Sequence, residues 1–105
     1  MVLQFYVSHV EFGWVEFEWD EQKSQRNAER RELPFAFAAR IFDGDVLEQE
    51  DVRRDYRESR LVAIGIVRDM VLVVIYTWRG ERRRIISARP ANRREQRAYR
   101  EVFTG

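Results

Sequence analysis

Two apolar runs near the middle of the chain constrain its fold most strongly. Residues 61–67 read LVAIGIV, residues 71–78 read VLVVIYTW, and only Arg68, Asp69 and Met70 separate them. Short runs that are apolar throughout and rich in β-branched residues are typical of central strands, buried on both faces. The short connection predicts that the two strands pair as an antiparallel hairpin.

A third strand and a C-terminal helix are predicted after the hairpin. Residues 82–89 read RRRIISAR, follow a turn at Gly80 and stop at Pro90, as expected for the last strand of a meander. Asn92 and Glu95 have the N-x-x-E spacing of a helix-capping box. The helix that begins there has an apolar stripe formed by Ala98, Tyr99, Val102 and Phe103.

The N-terminal part predicts one strand followed by a helix. Apolar Val15, Phe17 and Trp19 alternate with glutamates, which is the spacing of a strand with one buried face. Asp20 is the predicted N-cap of a helix that ends before Pro34.

A second short helix is predicted directly after Pro34, with Gly44 as its stop. Its apolar positions have helical spacing and are Phe35, Ala38, Ala39 and Phe42. The polar, mostly acidic residues 43–58 suit an exposed strand and a loop. The pattern as a whole predicts a single α+β domain over residues 1–105, in which a compact antiparallel sheet carries two N-terminal helices and one C-terminal helix.

Charge is divided unevenly along the chain. Residues 1–59 carry 8 basic and 14 acidic side chains, a net of −6, whereas residues 60–105 carry 11 basic and 4 acidic side chains, a net of +7. Arginine supplies 18 of the 19 basic residues, and its planar fork binds phosphate with paired hydrogen bonds. The C-terminal half is therefore expected to meet an anionic partner, unless the two halves neutralise each other.

Composition argues against several classes of protein. The chain contains no cysteine, which excludes a disulfide framework and a thiolate metal site. Its N-terminus lacks the pattern of a signal peptide, and no apolar run approaches the ~20 residues that a membrane helix needs. We therefore expect a cytoplasmic protein with no membrane partner.

Conventional catalytic patterns are scarce. His9 is the only histidine, and we expect it to face solvent or pack on the sheet. The stretch DGDVLEQED (43–51) has five acids but not the spacing of a calcium loop, so we expect a solvated acidic strand edge. No glycine-rich loop could cradle phosphates. We predict neither a metal site nor a cofactor.

The arginine-rich third strand offers a more specific site. Strict alternation places Arg83, Ile85, Ser87 and Arg89 on one face and their neighbours on the other. One interpretation is that these arginines are solvated or paired with acids. The other is an arginine-lined sheet face that binds RNA backbone, with an affinity that falls steeply as salt rises.

RNA cleavage requires little more than such a face. The ribose 2′-hydroxyl attacks the adjacent phosphate, and the protein must orient it, stabilise the developing charge and handle two protons. Arginine suits charge stabilisation but is a poor base, because its pKa exceeds ~12. The base stays open among a glutamate, a tyrosine, Lys23 and the RNA itself.

Several separated segments resemble one protein family. They are FEWDEQKSQRN (17–27), ARIFDG (39–44), DVRRDYRESRLVAIG (51–65) and VVIYTWRGERRRIISARPANRREQRAY (73–99). In this order they resemble BrnT-type toxins of type II toxin–antitoxin systems. The resemblance covers about residues 15–103 and leaves residues 1–14 as an N-terminal extension, which adds either a strand or a partner-binding edge.

The resemblance implies a RelE-like fold and a toxin that arrests growth by cutting RNA. It also implies a BrnA-type antitoxin with a ribbon-helix-helix domain, so that operator DNA is bound only through the antitoxin. The candidate catalytic residues are Lys23, Glu58, Arg60, Arg84 and Arg89. The candidate RNA-binding residues are Asn27, Arg31, Arg79, Arg83, Ser87 and Arg94. A structural salt bridge from Arg60 or Arg89 to Glu58 or Asp55 is the alternative to phosphate binding.

Three positions depart from the family pattern. Arg31 stands where the family has histidine, Glu32 where it has glycine, and Arg57 where it has another glycine. Arginine cannot replace a titrating imidazole near neutral pH. Two functions therefore stay open: a metal-independent ribonuclease toxin, or a catalytically silent relative that acts only through its antitoxin complex in operon autoregulation. Direct DNA binding by the basic C-terminal helix ranks below both, because no helix-turn-helix spacing supports it.

Overall fold

The computed structural model describes residues 6–8, 15–53 and 57–103. Its strands are β1 (Tyr6–Ser8), β2 (Phe17–Trp19), β3 (Val46–Glu50), β4 (Leu61–Val67), β5 (Met70–Arg79) and β6 (Arg82–Pro90). Its helices are α1 (Glu21–Arg31), α2 (Phe35–Ala38), which continues as a 3₁₀ turn over Ala39–Asp43, and α3 (Arg93–Phe103). The α+β class and the three-strand meander are confirmed.

The described strands form one sheet in the order β1-β3-β4-β5-β6-β2. All neighbours pair antiparallel except β2, which runs parallel to β6. The prediction of a wholly antiparallel sheet is therefore wrong at this edge. The pairing joins Phe17 to Arg83, and no local pattern specifies a contact over such a sequence separation.

The central hairpin has the turn that its strands require. Arg68 and Asp69 both have positive φ, 49° and 70°, as in the type I′ turns that match strand twist. Val73 and Val74 on β5 are fully buried and lie on opposite faces of the sheet. The sheet is therefore covered on both sides at its centre, as its apolar runs predict.

Two layers cover the sheet. Phe35, Ala38 and Ile41, from α2 and the 3₁₀ turn, pack on one face, and Tyr99 of α3 packs on the other. The first layer approaches closely at Gly65, where an added Cβ would lie 2.6 Å from the Cβ of Ile41.

The predicted helix caps are confirmed. Asp20 accepts hydrogen bonds from the backbone N–H groups of Gln22 and Lys23. At the start of α3, Asn92 Oδ1 accepts the backbone N–H of Glu95 at 2.8 Å, and Glu95 Oε1 accepts the backbone N–H of Asn92 at 2.9 Å, which is a complete capping box.

The acidic segment 43–58 differs from its prediction. Its strand, β3, lies between β1 and β4, so Val46, Leu47 and Glu48 are buried rather than solvated. The Glu48 carboxylate accepts a hydrogen bond from the Tyr76 hydroxyl at 2.7 Å. The expectation of an exposed acidic edge is wrong, because β1 pairs with β3 and is the outer strand. His9 lies outside the described residues.

Candidate nucleic-acid interface

A bulge at Ile86 interrupts the alternation of β6. Ile85 pairs with Tyr76 on β5, whereas Ser87 already pairs with Ile75, so Ile86 is an extra residue in the ladder. A bulge of this kind shifts the following side chains to the opposite face.

The bulge decides which arginines can act together. Ile85 and Ala88 lie in the same core although they are three residues apart, which uninterrupted alternation would forbid. The prediction that Arg83 shares a face with the end of β6 is therefore wrong. The residues that lie on one face are Arg84, Ser87 and Arg89.

Helix α3 covers only part of this face. Tyr99 packs against Leu47, Ile64 and Val73, at the end nearest α3. Towards the other end the side chains of the sheet are partly exposed; they are Val62, Ile75, Arg84 and Ser87. We call the partly exposed region formed by Arg60, Arg84, Ser87 and Arg89 the arginine face.

Arg60 and Arg84 flank Thr77 on neighbouring strands. Thr77 pairs with Arg84, and Arg60 lies beside Thr77 because the next residue, Leu61, pairs with Tyr76. Two strand spacings of ~4.8 Å separate the two arginine backbones by about 10 Å. Both long side chains can therefore reach one anion placed above Thr77.

Loose ion pairs hold these two arginines. The Nε of Arg60 is 3.8 Å from Glu58, and an Nη of Arg84 is 3.8 Å from Glu18, so both contacts are longer than a hydrogen bond. Glu58 also lies 3.6 Å from exposed Arg79. Half-exposed pairs of this geometry are worth little, so an incoming phosphate can replace them at small cost.

Arg89 is held differently. Its Nη1 and Nη2 donate to the two oxygens of Glu95 at 2.7 Å each, a paired geometry that is among the strongest for side chains. Hydrogen bonds from Arg89 are the main reason that the pKa of Glu95 lies below its usual range, against an opposing effect of burial. The structural salt bridge expected as an alternative for Arg89 is therefore present, with Glu95 as the partner.

Arg83 lies on the opposite face of the sheet, among aromatic rings. Its guanidinium carbon is 4.3 Å from the centre of the Phe42 ring and 4.7 Å from that of Trp78. Burial raises the pKa of nearby Glu48, while the hydrogen bond from Tyr76 and the charge of Arg83 oppose that rise. This group is a packed charge–aromatic cluster, separate from the arginine face.

Asn27 and Arg31 tie α1 to the edge of β6. The Asn27 amide donates to the carbonyl oxygens of Leu33 and Ala88, at 2.7 Å and 3.0 Å, and Arg31 donates to the same Ala88 oxygen at 2.9 Å. These contacts satisfy an edge carbonyl beyond the point where β2 pairs. Lys23 lies one helical turn before Asn27 and is exposed.

The remaining candidate lies on α3, and one arginine was missed. Arg94 is exposed on the first turn of α3. Arg53 was not predicted, although its charge reaches Arg89 and Glu95. The hydrogen bonds between Arg89 and Glu95 raise the pKa of Arg89 and lower that of Glu95; the charge of Arg53 opposes the first shift and adds to the second. The spacing of Asp51 and Arg53 was the available signal, since the two form a hydrogen-bonded ion pair.

Among the described residues, no three acidic or histidine side chains come together as metal ligands would. No described helix has the length and apolar character needed to cross a membrane.

Comparison with known protein families gives a match over most of the chain. The family model described as the BrnT ribonuclease toxin of type II toxin–antitoxin systems matches residues 19–95. The chain belongs to the BrnT family. Among curated proteins, no significant match is found. BrnT membership implies an antitoxin partner and a ribonuclease toxin activity.

Glu32 ends α1 in an unusual backbone conformation, with φ 55° and ψ 33°. Glycine adopts this left-handed conformation without strain, and it is common just after a helix. Position 32 would therefore suit glycine better than glutamate.

Proposed function

We propose that the chain is a metal-independent endoribonuclease toxin that binds and cleaves RNA at the arginine face. The observation that carries the proposal is the placement of Arg60 and Arg84 on either side of Thr77, each 3.8 Å from an acidic side chain that a phosphate could replace. Two guanidinium groups around one phosphate supply the paired hydrogen bonds and the positive charge that a pentavalent phosphorane needs. Growth arrest follows from loss of cellular RNA, and the toxin acts in the cytoplasm.

The reaction we propose is an attack within the RNA chain. The ribose 2′-oxygen bonds to phosphorus while the bond from phosphorus to the 5′-oxygen breaks, which leaves a 2′,3′-cyclic phosphate. Glu58, beside Arg60, accepts the 2′-hydroxyl proton, and the departing 5′-oxygen takes a proton from solvent. Arg60 and Arg84 stabilise the charge on the phosphoryl oxygens.

Other site residues take supporting roles in this proposal. Ser87 is next along the face from Arg84 and can donate to a neighbouring phosphate or ribose oxygen. Arg79, which shares Glu58 with Arg60, and exposed Lys23 and Arg94 strengthen the attraction for the RNA backbone.

Arg89, Asn27 and Arg31 act mainly through structure in this scheme. Arg89 fixes α3 at the end of the face, and the other two fix α1 against β6. Their hydrogen bonds are short and to groups of the protein itself, so RNA would have to displace them. Arg83, on the other sheet face, is assigned no contact with the scissile phosphate.

A BrnA-type antitoxin with a ribbon-helix-helix domain is the partner we propose. An antitoxin segment with acidic side chains would neutralise the toxin by covering the arginine face, because it would compete with RNA for the same cations. Operator DNA would be bound only through that antitoxin. The RelE-like fold implied by the resemblance is part of the same proposal.

A second candidate function is a catalytically silent relative that acts only in its antitoxin complex. The observation in its favour is Arg31, which replaces the histidine of the BrnT pattern and donates to the Ala88 carbonyl oxygen. A side chain in that role cannot transfer protons near neutral pH.

The deciding experiment is RNA cleavage by the purified protein in EDTA, with and without ribosomes. We expect cleavage products that end in 2′,3′-cyclic phosphate, and a loss of about 100-fold or more in kcat for Arg84→Gln. Arg40→Gln is the matched control, since Arg40 lies in the 3₁₀ turn on the other layer of the molecule and should leave cleavage unchanged.

The other possible outcomes of this experiment contradict the proposal or favour the second candidate function. Cleavage that EDTA abolishes contradicts the metal-independent mechanism. Cleavage that Arg84→Gln leaves intact contradicts the proposed site. A folded protein that cleaves no RNA in either condition, yet binds its antitoxin, favours the silent relative.

A further inference from the structure

We propose that Arg53 contacts a second RNA phosphate, next to the one held between Arg60 and Arg84, and that buried Asp51 is the residue that positions it. This inference rests on the proposed function, because RNA is the ligand of both sites. It adds a preference for longer RNA that the scissile phosphate alone does not impose.

Asp51 fixes the planar guanidinium group of Arg53. The Nε of Arg53 donates to Oδ1 of Asp51 and an Nη2 donates to Oδ2, each at 2.9 Å. The backbone N–H of Arg53 also donates to Oδ1, at 3.2 Å. Contacts through two guanidinium nitrogens fix the plane of the group as well as its position.

The two partners differ sharply in exposure. The side chain of Asp51 is 1% exposed, whereas that of Arg53 is 64% exposed. Burying a carboxylate is costly, and an ion pair with an exposed partner returns little stability. The hydrogen bonds from exposed Arg53 to buried Asp51 are therefore better suited to orienting the Arg53 guanidinium for binding than to stabilising the fold.

Both ends of this unit adjoin the arginine face. The backbone N–H of Asp51 donates to the carbonyl oxygen of Arg60 at 2.7 Å, which continues the pairing of β3 with β4. At the other end, Arg53 approaches Arg89 and Glu95: the pKa of Glu95 is lowered mainly by hydrogen bonds from Arg89, and the charge of Arg53 adds to that shift. Arg53 is thus held beside the face, within electrostatic range of its α3 end.

This placement predicts a two-phosphate footprint. One phosphate lies between Arg60 and Arg84, and the neighbouring phosphate meets Arg53. A dinucleoside monophosphate has a single phosphate and cannot use Arg53, whereas a trinucleotide or longer RNA can. The preferred substrate is therefore RNA of at least three nucleotides, and a dinucleoside monophosphate is cleaved without help from Arg53.

Kinetics on two substrates test the role of Arg53. For Arg53→Gln we expect KM for a hexaribonucleotide to rise about tenfold with kcat unchanged, as for the loss of one charged hydrogen-bonding contact. Cleavage of a dinucleoside monophosphate should match that of the parent protein, and Arg40→Gln should match it on both substrates. An unchanged KM for the hexaribonucleotide, or an equal loss on both substrates, overturns the inference.

A double-mutant cycle tests the positioning role of Asp51. Asp51→Asn should raise KM for the hexaribonucleotide, and the double variant Asp51→Asn/Arg53→Gln should be no worse than Arg53→Gln alone. Arg53→Lys should not restore the parent KM, because an ammonium group cannot use both carboxylate oxygens in one plane. Additive losses in the double variant would show that Asp51 does not act through Arg53.

A binding measurement separates this inference from the proposed cleavage. A 2′-deoxy hexanucleotide has the same phosphates but lacks the attacking hydroxyl, so it reports binding whether or not the protein is an enzyme. The slope of log affinity against log salt should fall by about 0.7 for Arg53→Gln and stay constant for Arg40→Gln. If the protein cleaves no RNA but Arg53→Gln reduces the slope, Arg53 contacts a phosphate and the cleavage proposal is wrong. If Arg53→Gln leaves the slope unchanged, or the hexanucleotide does not bind, the inference about Arg53 is wrong.

Discussion

Arg89 and Glu95 join β6 to α3 through two parallel hydrogen bonds of 2.7 Å. The same carboxylate accepts the backbone N–H of Asn92 at 2.9 Å, so Glu95 is at once an ion-pair partner and part of the helix cap. Substituting Arg89 therefore disturbs the end of a helix as well as the charge of the arginine face.

Arg89→Ala should lower the free energy of unfolding by about 1–2 kcal/mol, because it removes charged hydrogen bonds from a half-buried carboxylate. Arg84→Ala should lower it by less than ~0.5 kcal/mol, since the distance to Glu18 is 3.8 Å. Urea unfolding of both variants measures the difference. Equal losses of unfolding free energy in the two variants would show that the Arg89–Glu95 pair stabilises the fold no more than the Arg84–Glu18 pair does.

The pH dependence of stability should report Glu95. Its pKa is lowered from 4.5 in the folded chain, chiefly by hydrogen bonds from Arg89, so its contribution is present above 4.5 and is lost as the pH falls through the lower folded pKa. Glu95→Gln should therefore be less stable than the parent at neutral pH, and the difference in stability should narrow as the pH falls below 4.5 and through the lowered pKa of Glu95. A gap that stays constant across this range would contradict the assignment.

Asn27→Ala should destabilise the protein by about 1–2 kcal/mol, because the Leu33 carbonyl loses the amide donor and α1 loses a link to β6. Arg31→Ala removes the second donor to Ala88, so the two variants should be coupled rather than additive. Thermal unfolding of the two single variants and the double variant measures the coupling. Strict additivity would show that the shared carbonyl is not the link.

Glu32→Gly should stabilise the protein by about 0.5–1 kcal/mol, since residue 32 has φ 55° and glycine adopts that conformation without strain. Glu32→Ala is the control, because it shortens the side chain but keeps the Cβ, and it should bring no such gain. If both variants gain equally, the cause is the lost carboxylate and not the backbone conformation.

Gly65→Ala should cost about 1–3 kcal/mol, because the added methyl group would lie 2.6 Å from the Cβ of Ile41 between sheet and 3₁₀ turn. Gly44→Ala provides the contrast, since nothing lies within 4 Å of the Cβ it would add. The two melting temperatures should separate clearly. Similar values would show that the 3₁₀ turn can shift away from the sheet.

Local patterns predicted those parts of the fold that depend on neighbours in sequence. The apolar runs of β4 and β5 and the reciprocal cap of Asn92 and Glu95 are such features. Burial of Glu48 could not be predicted, because it depends on β1 pairing outside β3. The parallel pairing of β2 with β6 is likewise set by packing across the whole chain.

The candidate site, too, could be predicted from sequence only in part. Arg60 and Arg84 could be chosen as phosphate-binding candidates from sequence, but their placement on either side of Thr77 depends on strand register. For Arg89, the sequence offers a salt bridge to Glu58 or Asp55 as the alternative to phosphate binding. Asp55 lies outside the described residues, and the observed partner is Glu95, on the helix that follows β6. Arg53 was missed because its role depends on the burial of Asp51.

The bulge at Ile86 gives β6 one residue more than β5 between the pairs Ile85–Tyr76 and Ser87–Ile75. Deleting Ile86 would remove this extra residue and restore strict alternation, with Ala88 still in the core and Arg89 still on the arginine face. A one-residue insertion in a regular part of β6 would instead turn the side chains beyond it to the opposite face of the sheet and disrupt both surfaces together. The strand can therefore lose one residue at the bulge, whereas elsewhere only exchanges of side chains at exposed positions leave the core and the arginine face intact.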